Sequence, residues 1–192
     1  MSQHEVVIVR HGETEWSREG RHTGRTDVPL TDRGRHEAEQ LRGLLSKRSF
    51  SAVFTSPLRR ALDTATLAGF GERLVVDPEL QEWDYGEYEG RTSAEIRAAH
   101  PGWRLWHDGC PGGETLEQLA HRAESVIARL RAVDGDALVF AHGHVLRVIT
   151  VRWLELAPVQ AQHFALGPAS PSTLGYEHDW PALQTWNLPL PA

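Results

Sequence analysis

Guanidinium and imidazole side chains follow three short apolar segments of this sequence. They are Arg10 and His11, Arg59 and Arg60, and His142 and His144. Planar guanidinium groups match phosphoryl oxygens bidentately, and an unprotonated imidazole nitrogen is a competent nucleophile toward phosphorus. If the three segments are neighbouring strands, these groups converge on one pocket for a dianionic phosphoryl group. Backbone N–H groups at helix starts around Ser56 and Gly143 would add further donors.

A metal site is the competing interpretation of the same histidines. His11, His142 and His144 are of a type that binds transition metals. Arginines beside a cation would repel it, however, so the sequence favours a phosphoryl pocket. We therefore expect no metal and no cofactor.

Phosphoryl transfer to a histidine also needs a proton for the departing alkoxide. The acid-rich segment 79–89 is the place to look for its donor. We expect a carboxyl group buried beside Trp83 and Tyr85 to have a raised pKa and to act as general acid, although bound phosphate and nearby arginines push its pKa in opposite directions.

Apolar runs predict the strands that would position these groups. Val6-Val7-Ile8-Val9 is too short for a helix and suits a strand that is covered on both faces. Residues 51–55, 74–76 and 137–141 are further strand candidates, with 172–176 and 183–186 in the less regular tail. Ligands of such sheets bind beyond the carboxyl ends of the strands, where the arginines and histidines fall.

Helical patterns alternate with these strands. The predicted helices begin at Thr31 or Asp32, at Ser56-Pro57, and near residues 92, 116 and 145. Segments 16–30 and 101–113 are predicted to be loops, and the aromatic residues of the second loop either line the substrate mouth or pack on the domain. Alternation of this kind predicts an α/β three-layer sandwich, with a mostly parallel central sheet and helices on both faces.

Length and charge limit the classes of partner. The 192 residues fit one domain, 1–192, and a net charge of −6 without a basic run predicts no nucleic-acid or anionic-membrane partner. Cys110 is the single cysteine, no apolar run reaches membrane-spanning length, and no signal peptide is expected, so we expect cytoplasmic residence. All but one of the 20 basic residues are arginines, so an arginine becomes a site candidate only through its placement.

Several motifs carry a family resemblance. The segment Arg10-His11-Gly12-Glu13-Thr14-Glu15-Trp16 resembles the signature of the histidine phosphatase superfamily, the phosphoglycerate mutase-like phosphatases. The match continues in register at residues 23–24, 29–31, 56–61, 82–90 and 141–144. As an ordered set these motifs are specific, whereas Arg-His-Gly alone would be weak.

The resemblance implies roles for individual residues. It implies His11 as nucleophile, Glu82 as proton donor, and Arg10, Arg60 and His142 as phosphate clamps. It selects Arg60 over Arg59, because the family's arginine immediately precedes the alanine of that helix. The residues expected to bind substrate are Ser17, Arg21, Thr23, Gly24, Gly143 and His144.

For three of these substrate-binding candidates the role is left open. Ser17 stands where many members have an asparagine that contacts phosphate, so its hydroxyl either replaces that contact or the contact is lost. Arg21 is a candidate for a distal charge of the substrate. His144 either contacts substrate or only begins a helix near the site.

Departures from the family pattern indicate the branch. Cofactor-dependent mutases are usually longer, with a central insertion and a closing tail, so the resemblance favours a phosphatase. Residues 16–17, 22–27, 83–86 and 108–114 look most similar to the branch with acid phosphatases and sugar bisphosphatases of the sedoheptulose-bisphosphatase type. We expect metal-independent hydrolysis of a small-molecule phosphomonoester through phosphohistidine. A phosphoglycerate mutase and a non-catalytic phosphometabolite-binding module are the alternatives, and a homodimer is left open.

Overall fold

The computed structural model describes residues 4–190, in which six strands form one sheet. The strands are β1 (Val6–Arg10), β2 (Ala52–Thr55), β3 (Leu74–Val76), β4 (Ala137–Ala141), β5 (Pro171–Glu177) and β6 (Trp180–Thr185). Their order is β3-β2-β4-β1-β5-β6, parallel from β3 to β1 and antiparallel from β1 to β6. The predicted α/β fold with a mostly parallel central sheet is confirmed.

Seven α-helices are present among the described residues. They are α1 (Glu15–Arg18), α2 (Asp32–Leu45), α3 (Arg59–Leu67), α4 (Ser93–Ala99), α5 (Leu105–Asp108), α6 (Leu116–Arg131) and α7 (Gly143–Trp153). Short 3-10 turns occupy Gly71–Arg73, Pro78–Leu80, Gly86–Tyr88 and Pro158–His163. Threonine side chains set the starts of four helices, because Thr14, Thr31, Thr92 and Thr115 each accept a hydrogen bond from a first-turn backbone N–H. Thr31, not Asp32, therefore caps α2.

Helix α1 corrects the prediction that residues 16–30 are only a loop. Thr14 accepts a hydrogen bond from the Ser17 backbone N–H, and the Ser17 hydroxyl accepts one from the Thr14 N–H. This reciprocal capping box stabilises a single helical turn that is too short to show an apolar period. The predicted loop 101–113 likewise contains the one-turn helix α5.

Helix α3 begins at Arg59 and not at Ser56-Pro57 as predicted. The backbone N–H of Ser56 donates to the Phe140 carbonyl at 3.0 Å, which holds Ser56 at the end of the sheet. Its side chain accepts a hydrogen bond from the Leu58 N–H. The proline thus lies in the turn that leads into the helix.

The core lies on both faces of the sheet. Alternate residues of β1 point to opposite sides, so Val6 and Ile8 join one buried cluster with α6 and α7, while Val7 and Val9 join another with α2 and α3. Strand β4 is buried along its whole length. None of the described helices combines the length and apolar character that crossing a membrane requires.

Candidate active site

Sheet topology brings the predicted site residues to one edge. Strand β4 lies between β1 and β2 and is parallel to both, with Arg10 opposite Ala141 and Thr55 opposite Phe140. The carboxyl ends of all three strands therefore meet. The rings of His11 and His142 lie 5.2 Å apart between their centroids.

His11 is a buried, neutral imidazole with a defined tautomer. Its Nδ1 lies 2.8 Å from the carbonyl oxygen of Gly12, and because a carbonyl only accepts, Nδ1 carries the proton. The unprotonated nitrogen is therefore Nε2. Burial, followed by the charges of Arg60 and Arg10, lowers the pKa of His11 well below its ordinary 6.5. The ring is unprotonated at Nε2 at neutral pH.

Gly12 permits a close approach next to His11. A Cβ at this position would collide with the carbonyl oxygen of Gly34, in the first turn of α2. Only a residue without a side chain can therefore follow His11 while this loop packs against α2.

Arg10 presents a guanidinium group to the cavity. One terminal nitrogen donates to the Leu166 carbonyl oxygen at 2.6 Å, while the buried Nε has no hydrogen-bond partner among the described residues. Burial lowers the pKa of Arg10, and the charge of Glu82 acts in the opposite direction. A buried cationic donor without a partner is costly unless an anion completes it.

Arg60 and His142 form a buried pair. The Arg60 Nε donates to His142 Nδ1 at 3.0 Å, so the proton of His142 is on Nε2, which lies 2.7 Å from the Ser56 hydroxyl. The terminal nitrogens of Arg60 donate to three carbonyl oxygens of loop 23–26. Burial and the charge of Arg60 hold the pKa of His142 well below 6.5.

Glu82 is a buried carboxylate held by backbone donors. One oxygen accepts from the N–H groups of Trp83 and Val145 at 3.0 and 2.9 Å, and the other accepts from His144 N–H at 2.9 Å. Burial alone would raise the pKa of Glu82, but the hydrogen bonds that its carboxylate accepts, among them that from His144 N–H, hold the pKa well below 4.5. The expected raised pKa is therefore wrong.

Three of the backbone donors in the regions predicted to bind phosphate are already engaged. At the start of α7, the N–H groups of His144 and Val145 donate to Glu82, and Ser56 N–H donates to Phe140. The sequence could not show the hydrogen bonds to Glu82, because Glu82 is far from His144 and Val145 along the chain.

His144 lies against Tyr85. The Tyr85 hydroxyl is 2.6 Å from His144 Nδ1, and burial raises the pKa of Tyr85 well above 10, so the phenol keeps its proton and donates. Burial also lowers the pKa of His144. The ring of His22 packs on Tyr85 at 4.8 Å, and burial lowers the pKa of His22 to about 4.

A cavity of about 250 Å³ lies at this edge of the sheet. Its lining includes the predicted residues Arg10, His11, Ser17, Arg21, Thr23, Glu82, Gly143 and His144. It also includes Gly20, His22, Tyr85, Ser93, Arg147 and Leu166, which the sequence analysis did not select. The lining does not include Arg60, His142, Gly24 or the aromatic residues Trp103 and Trp106.

Ser17 and Arg21 have partners of their own. The Ser17 hydroxyl donates to the Thr14 carbonyl at 3.0 Å, so its proton serves the helix cap. Arg21 pairs with Glu19 at 2.5 Å and donates to the Gly90 carbonyl at 2.8 Å. The described residues contain no group of three or more His, Cys, Asp or Glu side chains suited to hold a metal ion.

Comparison with known proteins decides the family. Residues 6–189 match the family model of the histidine phosphatase superfamily, branch 1. The chain belongs to this superfamily. An acid phosphatase of Mycobacterium tuberculosis is 44% identical over 179 residues, which cover 91% of this chain and 88% of that protein. A sedoheptulose 1,7-bisphosphatase of Saccharomyces cerevisiae is 37% identical, over 78% of this chain and 67% of that protein.

A solved structure agrees with these relatives. The product of an open reading frame of Mycobacterium tuberculosis superposes with a TM-score of 0.89 at 43% identity, over 96% of this chain and 97% of that one. Relatives named as phosphoglycerate mutases match less closely. The histidine phosphatase resemblance and the expected activity, phosphoric monoester hydrolysis, are confirmed.

Proposed function

We propose that this histidine phosphatase transfers the phosphoryl group of a small ester to Nε2 of His11 and then to water, without a metal. The observation that carries this proposal is the hydrogen bond from His11 Nδ1 to the Gly12 carbonyl, which leaves Nε2 unprotonated. The lowered pKa of His11 keeps that nitrogen available even in mildly acidic solution.

Arg10, Arg60 and His142 are the proposed phosphoryl clamp. Arg10 lines the cavity and holds a buried Nε without a partner, and Arg60 contributes its positive charge to the surroundings of His11. The Nε2 of His142 carries a proton and donates to the Ser56 hydroxyl. When a substrate binds, this N–H would donate to a phosphoryl oxygen instead. Because phosphoryl transfer needs mainly positioning and charge stabilisation, the proposed contribution of these three residues is hydrogen-bond donation by Arg10 and His142 and positive charge from Arg10 and Arg60.

Glu82 is the proposed proton donor, and the substrate itself supplies the change that it needs. A dianionic phosphoryl group beside Glu82 raises the pKa of the carboxyl group, so the acid form accumulates only in the complex. His11 Nε2 attacks phosphorus, the ester P–O bond breaks, and the Glu82 proton passes to the alkoxide. Glu82 then takes a proton from water as the water attacks phosphorus, the P–N bond breaks, and phosphate leaves.

The proposed substrates are small phosphomonoesters. The cavity of about 250 Å³ holds only a compact ligand. The names of the relatives favour a broad acid phosphatase or a sugar bisphosphatase. We also propose one domain over residues 1–192 and cytoplasmic residence. The net charge of −6 supports a further proposal, that the protein has no nucleic-acid partner.

The test is phosphate release from p-nitrophenyl phosphate, phosphoglycerates and sugar phosphates with a chelator present. We expect turnover by the wild type and at least about a 1000-fold loss in His11→Ala. His36→Ala, on the exposed face of α2, is the matched control. Turnover by His11→Ala near the wild-type rate, or loss of wild-type activity with chelator, would refute the proposal.

The mutase alternative is separated by its product. Conversion of 3-phosphoglycerate to 2-phosphoglycerate that depends on added bisphosphoglycerate would indicate a mutase. Release of inorganic phosphate without that addition would indicate a phosphatase.

A further inference from the structure

Arg122 holds the chain segment that carries Glu82, although it does not line the cavity. It lies in the second turn of α6. One terminal nitrogen, Nη1, donates to the carbonyl oxygens of Glu79 and Gln81 at 2.6 and 2.7 Å. The other, Nη2, donates to the Glu82 carbonyl oxygen at 3.2 Å. A single guanidinium group thus binds three carbonyl oxygens of one short segment.

A carboxylate fixes the orientation of this guanidinium group. Nε and Nη2 of Arg122 donate to the two oxygens of Glu114 at 2.6 and 2.9 Å, and the two side chains are only 17% and 16% exposed. The Glu114 carbonyl oxygen accepts from Trp83 Nε1 at 2.7 Å, and the Glu114 N–H donates to the Asp84 carbonyl oxygen at 3.0 Å. The pair therefore connects the residues on both sides of Glu82.

The segment around Glu82 has little structure of its own. Residues 81–85 lie between two short 3-10 turns and belong to no helix or strand. Within residues 4–190, Arg122 is the one hydrogen-bond donor to the carbonyl oxygens of Gln81 and Glu82. Without Arg122 these acceptors would need other partners, and the segment would shift to find them.

We propose that Arg122 positions the Glu82 carboxyl group for proton transfer to the leaving alkoxide. This inference rests on the proposed function, in which Glu82 is the proton donor. The N–H groups of Trp83, His144 and Val145 hold the carboxylate, but a protonated carboxyl group accepts their hydrogen bonds more weakly. The contact of Arg122 with the Glu82 backbone does not depend on that proton, so it holds the residue while the acid form is present. Arg122 is thus a positioning residue.

Arg129 provides the matched control. It lies on α6 about two turns after Arg122, so both arginines face the same side of the helix. Its Nε and Nη2 donate to the Asp77 carboxylate at 3.0 and 2.8 Å, and Nη2 also contacts the Glu79 carboxylate. In the described part of the chain its hydrogen bonds therefore go to side chains that precede Glu82, and not to the Glu82 backbone.

Two esters with different leaving groups test the inference. The alkoxide of glycerol 3-phosphate is a strong base and needs a proton, whereas the phenolate of p-nitrophenyl phosphate is a weak base and leaves without one. We expect Arg122→Met to lower kcat/KM about 10- to 100-fold more for glycerol 3-phosphate than for p-nitrophenyl phosphate, because a small displacement of Glu82 slows only the assisted departure. Arg129→Met should leave the ratio of the two kcat/KM values unchanged.

Further variants separate positioning from folding and from the assignment of the proton donor. Arg122→Lys keeps a charge beside Glu114 and should show a smaller selective loss, since one ammonium group cannot bind all three carbonyl oxygens. Arg122→Met combined with Glu114→Gln leaves no unpaired carboxylate and should show the selective loss if Arg122→Met alone does not fold. Glu82→Gln should show the same selectivity, and equal losses on both esters there would refute Glu82 as proton donor. A selective loss in Glu82→Gln with equal losses on both esters in the Arg122 variants would overturn the inference alone.

Discussion

The arginines of the cavity and those of the outer surface are held by different acceptors. Around the cavity, Arg10, Arg60 and Arg147 donate to backbone carbonyl oxygens, and Arg60 also to His142. On the surface the acceptors are more often carboxylates, as in the pairs Arg18–Glu15, Arg48–Asp136, Arg59–Asp63 and Arg152–Glu124, although Arg42 and Arg131 donate to carbonyl oxygens there. A carbonyl fixes a guanidinium group without cancelling its charge, so around the cavity the arginine charges are offset only in part, by the Glu82 carboxylate.

Arg21 marks the boundary between the two regions. It lines the cavity, yet it has both kinds of acceptor, the carboxylate of Glu19 and the Gly90 carbonyl. Placement in the cavity therefore does not by itself make an arginine available to an anion.

The largest difference between two variants is expected at two adjacent arginines of α3, Arg60 and Arg59. Arg60→Met should lower kcat/KM at least about 100-fold and the free energy of unfolding by about 3 kcal/mol, because it leaves buried acceptors without donors. Arg59→Met removes an exposed pair with Asp63 and should change the free energy of unfolding by less than about 0.5 kcal/mol. Kinetics and urea unfolding measure both; similar results for the two variants would contradict the comparison.

A smaller effect is expected from pH, through the imidazoles that share the cavity with the arginines. Burial lowers the pKa of His22 to about 4, so between about pH 6.5 and 4 the unfolded chain binds a proton that the folded protein does not. Stability is thus lost as pH falls below 6.5, by about 2 kcal/mol at pH 5 from His22 alone. His11 and His142 add to this loss, since their pKa values are also lowered.

Urea unfolding at several pH values measures this loss. His22→Asn should flatten the pH dependence, whereas His36→Asn, on the exposed face of α2, should leave it unchanged. An unfolding free energy that stays constant from pH 7 to pH 5 would show that these imidazoles are not buried in neutral form.

A carboxylate added to the cavity should weaken anion binding more modestly. Ser93 lines the cavity at the first position of α4, where an aspartate is compatible with the helix. Ser93→Asp should raise KM for anionic esters about 10-fold by partly cancelling the positive charge, and Ser93→Asn should not. Steady-state kinetics at low salt test this, and an unchanged KM in Ser93→Asp would argue against uncancelled charge.

The smallest effect is expected on the surface. Arg152→Met removes a pair with Glu124 in which the two side chains are 27% and 50% exposed. Thermal unfolding should show a change of less than about 0.5 kcal/mol, with phosphatase activity retained. A large loss of activity would extend the functional region to the outer face of α7.

The sequence could predict the site residues that lie at the carboxyl ends of strands. Arg10, His11 and His142 follow buried apolar runs, and parallel neighbours bring such positions together. Arg147 and His22 could not be predicted in this way, because one lies in the second turn of a helix and the other in a loop. The spacing of arginines also does not show which of them meet a carboxylate after folding.

Local structure was missed where a single turn is stabilised by side chains. Helix α1 depends on the Thr14–Ser17 capping box, and the start of α3 depends on the contacts of Ser56 with the sheet. Neither feature leaves an apolar period in the sequence, so pattern alone predicts a loop in the first case and an early helix start in the second.

The Glu82 carboxylate has a structural role at the start of α7. The residue before α7, His142, provides no side-chain cap, so the His144 and Val145 N–H groups depend on the Glu82 oxygens. A proton on this carboxyl group makes it a weaker acceptor for the helix that carries Arg147. The protonation state of Glu82 thereby affects how firmly the first turn of α7 is held.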